Sequence, residues 1–284
     1  MTERMSMPAM VNGTRTDKLP VFDRGLLYGD GVFETVAVEQ GRPRFWSRHI
    51  MRLRAGCDRL GIPPVDDSLL EDEAGTLVSD VEHGVLKLIV TRGSGGRGYR
   101  TPEVTLPARI MQLHPWPAYA DSCAGTGVAV RMCKTRLGTN PVLAGIKHLN
   151  RLEQVIARNE WNDSGVVEGL MTDRENNLIE GTMSNLFLLR DQCIHTPDLS
   201  VCGVAGVMRS VILELASAAG LEVTVRNIGA AELAGADEIF LTNSLIGIWP
   251  VVDIAGRSYR KGPLTTRLQR LLQAHTEVRG IWRA

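Results

Sequence analysis

The sequence predicts an α+β protein of two domains, and three observations support this. With 284 residues, the chain is long enough for two modest domains that each bury a core. Helical and strand patterns do not alternate as a clean βαβ series, so we expect mixed sheets. A segment with two prolines, 114–119, interrupts all periodicity. We therefore place an N-terminal α/β domain at 1–114, a linker at 115–122 and a C-terminal domain at 123–284.

The composition is that of an ordinary globular protein. Hydrophobic residues make up 44% of the chain, and 32 basic residues balance 32 acidic ones. No basic excess predicts nucleic-acid binding, and no apolar run of about 18 residues predicts a membrane span. The N-terminus lacks the apolar segment of a signal peptide. The five cysteines form no C-x-x-C pair, so we expect reduced thiols, a cytoplasmic location and no metal site.

Hydrophobic periodicity predicts the elements of the N-terminal half. A helix begins at Ser47, a plausible N-cap, and ends before Gly61. Arg52 lies off the apolar stripe of this helix, where an arginine is normally solvated unless an anion site requires it. The other predicted elements are a helix at 68–81 and strands at 32–38, 84–91 and 104–113.

A glycine-rich stretch after the second strand matches the pattern G-x-G-x-x-G at 93–98. A dinucleotide site needs a helix directly after the glycines and an acid about 20 residues on. Here a strand follows instead, so we reject the dinucleotide fold and predict a hairpin loop. Arg97 and Tyr99 in this loop are either solvated or hold a substrate carboxylate.

The C-terminal half mixes strands and helices. Within the helix at 149–159 we expect Leu152, Val155 and Ile156 to face the core. The other predicted elements are strands at 127–133, 165–172, 178–189, 221–226, 237–242 and 248–252 and helices at 207–219, 229–234 and 264–275.

Three positions in this half suggest chemistry. Lys147 has apolar, orderly flanks, and a partly desolvated lysine can act as a nucleophile and base. Glu180 is a single acid among apolar strand residues, so it lies either at a solvated edge or beside a cationic partner. A glycine precedes the helix that begins with Val207 and Met208, which forms either an anion site or a structural helix entry. Each position alone has a structural explanation.

Together these positions match the needs of a pyridoxal-phosphate enzyme. Such an enzyme requires a lysine for the Schiff base and a carboxylate that keeps the pyridine nitrogen protonated. It also requires an anion pocket made of a helix N-terminus and an arginine. Lys147, Glu180, the 206–208 segment and Arg52 supply that set.

Five ordered stretches carry a family resemblance: 23–35, 48–53, 146–154, 179–187 and 206–209. On these, the chain resembles the class IV, branched-chain-aminotransferase-like pyridoxal-phosphate enzymes. The resemblance implies fold type IV, with an N-terminal two-layer α/β sandwich and a C-terminal pseudo-barrel with flanking helices. It also implies a homodimer with the active site near the subunit interface.

The resemblance further implies residue roles. Lys147 holds the cofactor as an internal aldimine and then acts as acid and base, and Glu180 pairs with the pyridine nitrogen. The phosphate is bound by Arg52, the amides of Val207 and Met208, and the loop at Thr242 and Asn243. This loop is less threonine-rich than is usual in the family. The substrate contacts are assigned to Tyr28, Arg97, Tyr99 and Arg151.

The stretches 92–99 and 137–154 are similar to the bacterial aminodeoxychorismate lyases. This implies conversion of 4-amino-4-deoxychorismate to 4-aminobenzoate and pyruvate in folate biosynthesis. The path is an external aldimine, removal of the C4 proton by Lys147 and elimination of pyruvate. An aminotransferase of the D-amino acid or branched-chain type is the alternative. A non-enzymatic nucleotide-binding protein using 93–98 is the alternative from another class.

Overall fold

A computed structural model describes residues 8–120 and 122–275, and these form two compact units. The first contains residues 8–117 together with Ile146–Asn150, and the second contains residues 118–120, 122–145 and 151–275. Residues 146–150 fall in the first unit, whereas the domain limits expected from the sequence put them in the C-terminal domain. These residues group with the first unit because their backbone pairs with one of its strands.

The first unit contains one antiparallel six-stranded sheet in the order β2-β1-β6-β5-β3-β4. Its strands are β1 (Ala9–Val11), β2 (Thr14–Arg15), β3 (Gly31–Glu39), β4 (Arg42–Pro43), β5 (His83–Thr91) and β6 (Ala108–Pro115). The strand predicted at 104–113 is β6, and it begins at Ala108 and not at residue 104. Its length is set by pairing with β5, which the local sequence does not show.

Three helices complete this unit: α1 (Arg24–Tyr28), α2 (Trp46–Leu60) and α3 (Asp67–Val78). Phe45, not Ser47, is the N-cap of α2, and no side chain caps it. Asp66 caps α3 by accepting a hydrogen bond from the Ser68 amide. The apolar stripes of α2 and α3 pack on the sheet and form a core that includes Val32, Val36, Ile50, Leu53, Leu70, Leu77, Leu88 and Met111. The unit is therefore the two-layer sandwich that was predicted.

The segment carrying Lys147 lies along the edge of β3. The Phe33 amide donates to the Lys147 carbonyl at 2.9 Å, and the Leu149 amide donates to the Gly31 carbonyl at 3.0 Å. Val32 and His148 form an antiparallel bridge between these two bonds. The segment around Lys147 is therefore held in place by two backbone hydrogen bonds to β3.

The glycine-rich loop (residues 93–99) lies in the connection between β5 and β6, which pair antiparallel over their length. A strand and not a helix follows it, so the predicted hairpin between two antiparallel strands is confirmed. Gly93 has φ +85°, and a Cβ there would lie 1.9 Å from the Leu106 carbonyl oxygen. Only glycine meets both conditions, so this residue sets the turn out of β5.

The second unit contains one mixed sheet of nine strands, in the order β12-β11-β10-β13-β14-β7-β8-β9 with β15 beside β14. The strands are β7 (Val128–Arg136), β8 (Val166–Thr172), β9 (Leu178–Gly181), β10 (Asn185–Arg190), β11 (Cys193–Pro197), β12 (Val223–Arg226), β13 (Glu238–Asn243), β14 (Gly247–Ile254) and β15 (Arg257–Ser258). A tight turn joins β9 to β10, although β9 ends the sheet and β10 lies far along it. The sheet must curl to allow this, as a pseudo-barrel does.

The helices of this unit are α4 (Ser122–Thr126), α5 (Leu152–Arg158), α6 (Val207–Ala218), a 3-10 helix (Ala230–Gly235) and α7 (Pro263–Ala274). The core inside the sheet includes Val130, Leu170, Leu178, Leu186, Leu188, Ile239, Leu241 and Val251. In α5 the prediction of inward-facing Leu152, Val155 and Ile156 is wrong, because all three are exposed and Ala157 is the buried residue. Periodicity identified the apolar stripe but not the surface that covers it.

Within residues 8–120 and 122–275, no helix has the length and apolar character needed to cross a lipid bilayer.

Candidate active site

The Lys147 side chain projects onto the ring of Phe33, with Nζ 4.4 Å from the ring centroid. Lys147 and Phe33 lie opposite each other where this segment pairs with β3, so their side chains lie on the same face. An ammonium over an aromatic face is attracted by the ring quadrupole. Phe33 therefore orients the side-chain amine of Lys147.

Arg52 is held by a buried carboxylate. Its Nε donates to Glu34 Oε1 at 2.8 Å, and its Nη2 donates to Glu34 Oε2. His49 Nδ1 lies 2.6 Å from the same Oε2, and both Glu34 and His49 are fully buried. Glu34 faces α2 because it alternates with Val32 and Val36 on β3. One carboxylate thus fixes two side chains of α2, one turn apart.

The charges of this cluster compensate one another. Burial raises the pKa of Glu34, but Arg52 and His49 outweigh it and bring that pKa to about 2. Burial lowers the pKa of His49, Glu34 raises it, and Arg52 and Lys147 lower it, so that the net effect is a lowered pKa. A neutral imidazole that donates Nδ1–H to the Glu34 carboxylate satisfies these conditions. Its Nε2 is buried with no hydrogen-bond partner among the described residues.

Glu180 lies on β9 and is buried. Its Oε2 accepts a hydrogen bond from the Val204 amide at 2.8 Å, and its Oε1 accepts one from Gln154 Nε2 at 3.4 Å. The alternative of a solvated strand-edge residue is therefore wrong. A buried carboxylate held by a backbone amide and a side-chain amide is oriented to receive a cationic N–H group.

Asn185 ties the start of α6 to the same strand region. Its Nδ2 donates to the Val204 carbonyl at 2.8 Å, and its Oδ1 accepts from the Gly206 amide at 3.1 Å. A Cβ at Gly206 would lie 2.0 Å from Asn185 Oδ1, so this contact requires glycine. Val207 and Met208 follow as the first residues of α6, whose opening amides have no acceptor within the helix. Their N–H groups suit a phosphate.

The loop at Thr242 and Asn243 uses its side chains internally. Thr242 Oγ1 donates to the Gly247 carbonyl at 2.6 Å, and Asn243 Nδ2 donates to the Met183 carbonyl at 3.0 Å. Asn243 Oδ1 also accepts from the Leu245 amide at 2.8 Å. The predicted phosphate contact from this loop therefore requires its backbone amides.

The predicted substrate residues fall into two groups. Tyr28, Arg97 and Tyr99 lie together in the first unit, where the Tyr28 hydroxyl accepts a hydrogen bond from the Gly98 amide at 3.0 Å. The Tyr28 and Tyr99 rings contact edge to face at 5.6 Å. Arg151 lies in the second unit, where burial lowers its pKa and Glu180 opposes that shift.

Sequence reasoning missed four residues that hold this machinery: Glu34, His49, Gln154 and Asn185. Strand alternation offered one signal, since it places Glu34 among buried valines. An acid on an apolar strand face requires a cation nearby. The other three lack such a signal because their partners are distant in sequence.

The donor set fits pyridoxal phosphate. In the first unit Lys147 offers an amine and Arg52 a guanidinium, and in the second unit the start of α6 offers backbone amides and Glu180 a carboxylate. These are the kinds of group that an aldehyde, a phosphate and a pyridine nitrogen require. The buried Glu180 carboxylate, oriented by the Val204 amide, is the observation that best matches the cofactor, because such a carboxylate stabilises a protonated pyridine nitrogen.

Comparison with known proteins agrees with this assignment. The family model described as amino-transferase class IV matches residues 31–254. An aminodeoxychorismate lyase of Vibrio harveyi is 37% identical over 91% of this chain and 97% of its own length. A branched-chain-amino-acid aminotransferase of Pseudomonas aeruginosa is 30% identical over 93% of this chain and 91% of its own length.

Solved structures show the same likeness. The crystal structure of 4-amino-4-deoxychorismate lyase from Pseudomonas aeruginosa is 48% identical, with a TM-score of 0.91, and the match covers 95% of this chain and 99% of that one. The shared fold type, the matching family model and the fit of the donor set lead to one conclusion. The chain belongs to the class IV aminotransferase family of fold type IV pyridoxal-phosphate enzymes.

Proposed function

We propose that the chain is a lyase that converts 4-amino-4-deoxychorismate to 4-aminobenzoate and pyruvate, a step towards folate. The main support is the 48% identity to the Pseudomonas aeruginosa lyase over 95% of this chain, against 30% to the Pseudomonas aeruginosa aminotransferase. The similarity of 92–99 and 137–154 to the lyases of this family agrees with it.

Lys147 performs the proton transfer. The bound cofactor supplies an aldehyde that condenses with amines and a ring that accepts an electron pair. With the cofactor bound, the Nζ of Lys147 would hold it in the resting enzyme and, once released by the substrate amine, would take the proton from C4 of the substrate. Loss of the enolpyruvyl group from C3 would then make the substrate ring aromatic, and this makes the elimination strongly favourable. The protein therefore contributes positioning and proton transfer above all.

The other cofactor residues orient it. Glu180 accepts the N–H of the ring, and its hydrogen bond from the Val204 amide keeps the carboxylate in place. Arg52 binds the phosphate with its guanidinium plane set by Glu34, and the amides of Val207 and Met208 bind it from the start of α6.

The substrate carries two carboxylates, which gives cationic residues a role. We assign Arg97, with Tyr28 and Tyr99 beside it, to one carboxylate. Arg151 is assigned to substrate binding on the side of Glu180, whose charge opposes the lowering of the Arg151 pKa.

We also propose that the enzyme is a homodimer with its active site near the subunit interface. The exposed apolar residues Leu152, Val155 and Ile156 on α5 support this, because a contiguous apolar helix face in water favours burial against a partner. A cytoplasmic location is proposed from the cysteines, all five of which are free thiols.

The decisive experiment is the release of 4-aminobenzoate from aminodeoxychorismate by purified, cofactor-loaded enzyme. Product formation with a visible absorbance that borohydride bleaches is expected, and Lys147→Ala should lose both the product and the absorbance. Wild-type enzyme that is loaded with cofactor and yet makes no 4-aminobenzoate would sink the lyase assignment.

The aminotransferase alternative rests on the 30% identity to the Pseudomonas aeruginosa enzyme. It predicts that the loaded enzyme produces a 2-oxo acid from a D-amino acid or a branched-chain amino acid. We expect such activity to be far below the lyase activity of the same preparation.

A further inference from the structure

Arg24 is a buried cation that the roles above leave unexplained. It is 3% exposed and lies in α1, where its Nε donates to Asp30 Oδ2 at 2.9 Å. Its two terminal nitrogens donate to backbone carbonyls of the glycine-rich loop, Nη1 to Gly98 at 3.0 Å and Nη2 to Tyr99 at 3.3 Å. Three nitrogens of the planar guanidinium thus donate hydrogen bonds, an arrangement that a lysine cannot reproduce.

Asp30 connects this clamp to the rigid part of the unit. Arg92 donates to Asp30 Oδ2 at 2.7 Å and to Oδ1 at 3.0 Å. Its remaining donors bind the Leu60 and Gly61 carbonyls, each at 2.7 Å, at the end of α2. The hydrogen bonds of Arg92 and Arg24 lower the pKa of Asp30 against the raising effect of burial, so this carboxylate stays ionised.

The start of the loop is anchored by the Gly95 amide, which donates to the Phe22 carbonyl at 3.1 Å, and its second half is largely exposed. Tyr99 is 88% exposed, and Arg97 and Arg100 are exposed as well. Gly98 has φ +106°, a conformation that glycine adopts without strain and that does not by itself fix the loop. Besides Arg24, the hydrogen bond from the Gly98 amide to the Tyr28 hydroxyl secures this part of the loop.

We propose that Arg24 is a positioning residue that holds the glycine-rich loop against α1 and so sets the affinity for a substrate carboxylate. Arg24 does not touch the substrate in this proposal. It fixes the backbone on both sides of the bond between Gly98 and Tyr99, and thereby places Arg97 and Tyr99. The effect on affinity rests on the function proposed above, while the clamp itself rests on the geometry alone.

Limited proteolysis of the holoenzyme tests the clamp without reference to activity. Trypsin cleaves after Arg97 and Arg100, and its rate follows the population of open loop. Losing two charge-assisted hydrogen bonds should raise this rate about tenfold in Arg24→Met and in Arg24→Lys. Arg42→Gln, which removes an exposed arginine of the same unit, is the matched control and should cleave as the wild type does.

Two further variants keep the test decisive. If Arg24→Met does not fold, Arg24→Lys retains the charge beside Asp30, and Tyr28→Phe removes only the acceptor for the Gly98 amide. Tyr28→Phe should speed cleavage about threefold, as the loss of one neutral hydrogen bond predicts. Cleavage within twofold of the wild type in Arg24→Lys and in Tyr28→Phe would overturn the clamp.

Steady-state kinetics test the consequence for substrate. Arg24→Lys should raise the KM for aminodeoxychorismate about tenfold, with kcat and the visible absorbance of the cofactor retained. Faster proteolysis with an unchanged KM would refute the link to the substrate and leave the clamp. If the wild type makes no 4-aminobenzoate, the proposed function fails, and the proteolysis result still decides whether Arg24 holds the loop.

Discussion

His49 and Glu34 show how a single buried residue depends on its neighbours for its charge. The cluster carries one negative charge on Glu34 and one positive charge on Arg52, so a neutral His49 leaves it balanced. A second cation would be buried without compensation, which is why the pKa of His49 is lowered although a carboxylate lies 2.6 Å away.

This balance predicts how stability depends on pH. Because the folded pKa of His49 is lowered from 6.5, the unfolded chain binds more protons below pH 6.5, and the free energy of unfolding falls on acidification. One such proton contributes about 1.4 kcal/mol per pH unit. Glu34, with its pKa lowered from 4.5 to about 2, adds a further loss only below pH 4.5.

Urea unfolding of His49→Gln at pH 7.5 and pH 5.5 tests this. The variant should be less stable at pH 7.5, because it loses a buried hydrogen bond, but it should lose less stability than the wild type between the two pH values. Equal losses in both proteins would show that His49 does not titrate as expected.

Glu34 also predicts an effect on cofactor binding. Glu34→Gln keeps the shape of the side chain but removes the charge that orients Arg52, so the dissociation constant for pyridoxal phosphate should rise about tenfold. Titration of the apoenzyme with cofactor measures it. Glu39→Gln on the same strand, which loses an ion pair with Arg44 at 2.8 Å, is the control and should bind cofactor as the wild type does.

At the scale of elements, the entry of α6 is determined by a strand. Asn185 at the start of β10 holds the Val204 carbonyl and the Gly206 amide, while the Val204 amide holds Glu180. One loop therefore links Glu180, the carboxylate proposed for the ring nitrogen, to the helix N-terminus proposed for the phosphate. A shift of this loop moves both groups together.

Asn185→Asp tests this link between the two groups. The acceptor for the Gly206 amide remains, but a carboxylate oxygen now faces the Val204 carbonyl, and that repulsion displaces the loop. We expect cofactor affinity to fall about tenfold and the visible absorbance of the bound cofactor to shift, since Glu180 moves as well. Asn162→Asp, at an exposed position of the same unit, should leave both unchanged.

At the scale of the whole molecule, the exposed apolar side chains of α5 support the proposed homodimer. Leu152, Val155 and Ile156 are 75%, 52% and 58% exposed on a two-turn helix. Burial in the core of this chain does not account for these apolar side chains, whereas burial against a partner subunit would. Ile156→Glu tests this, because a charge is tolerated by an exposed side chain but not by a buried interface.

We expect Ile156→Glu to lower the molecular mass measured by sedimentation from dimer to monomer at micromolar concentration. Val225→Glu, at an exposed apolar residue of β12, should remain dimeric. A dimeric Ile156→Glu protein would exclude α5 from the interface.

The sequence by itself determined the family and most of the elements, and it predicted the site residues. Lys147, Arg52, Glu180 and the start of α6 were predicted together, because their combination matches the needs of a pyridoxal-phosphate enzyme. Strand and helix periods follow from local burial, and so β5, β8 and α6 agree with prediction to within two residues.

Only the tertiary structure decided how these residues are held. The bonds of Arg52 to Glu34, of Arg92 to Asp30 and of Arg24 to Gly98 join residues 18, 62 and 74 positions apart. No local pattern encodes such pairs, because the energy of a buried charge depends on which other elements surround it. The exposed face of α5 has the same cause, since an apolar stripe predicts burial without naming the surface that provides it.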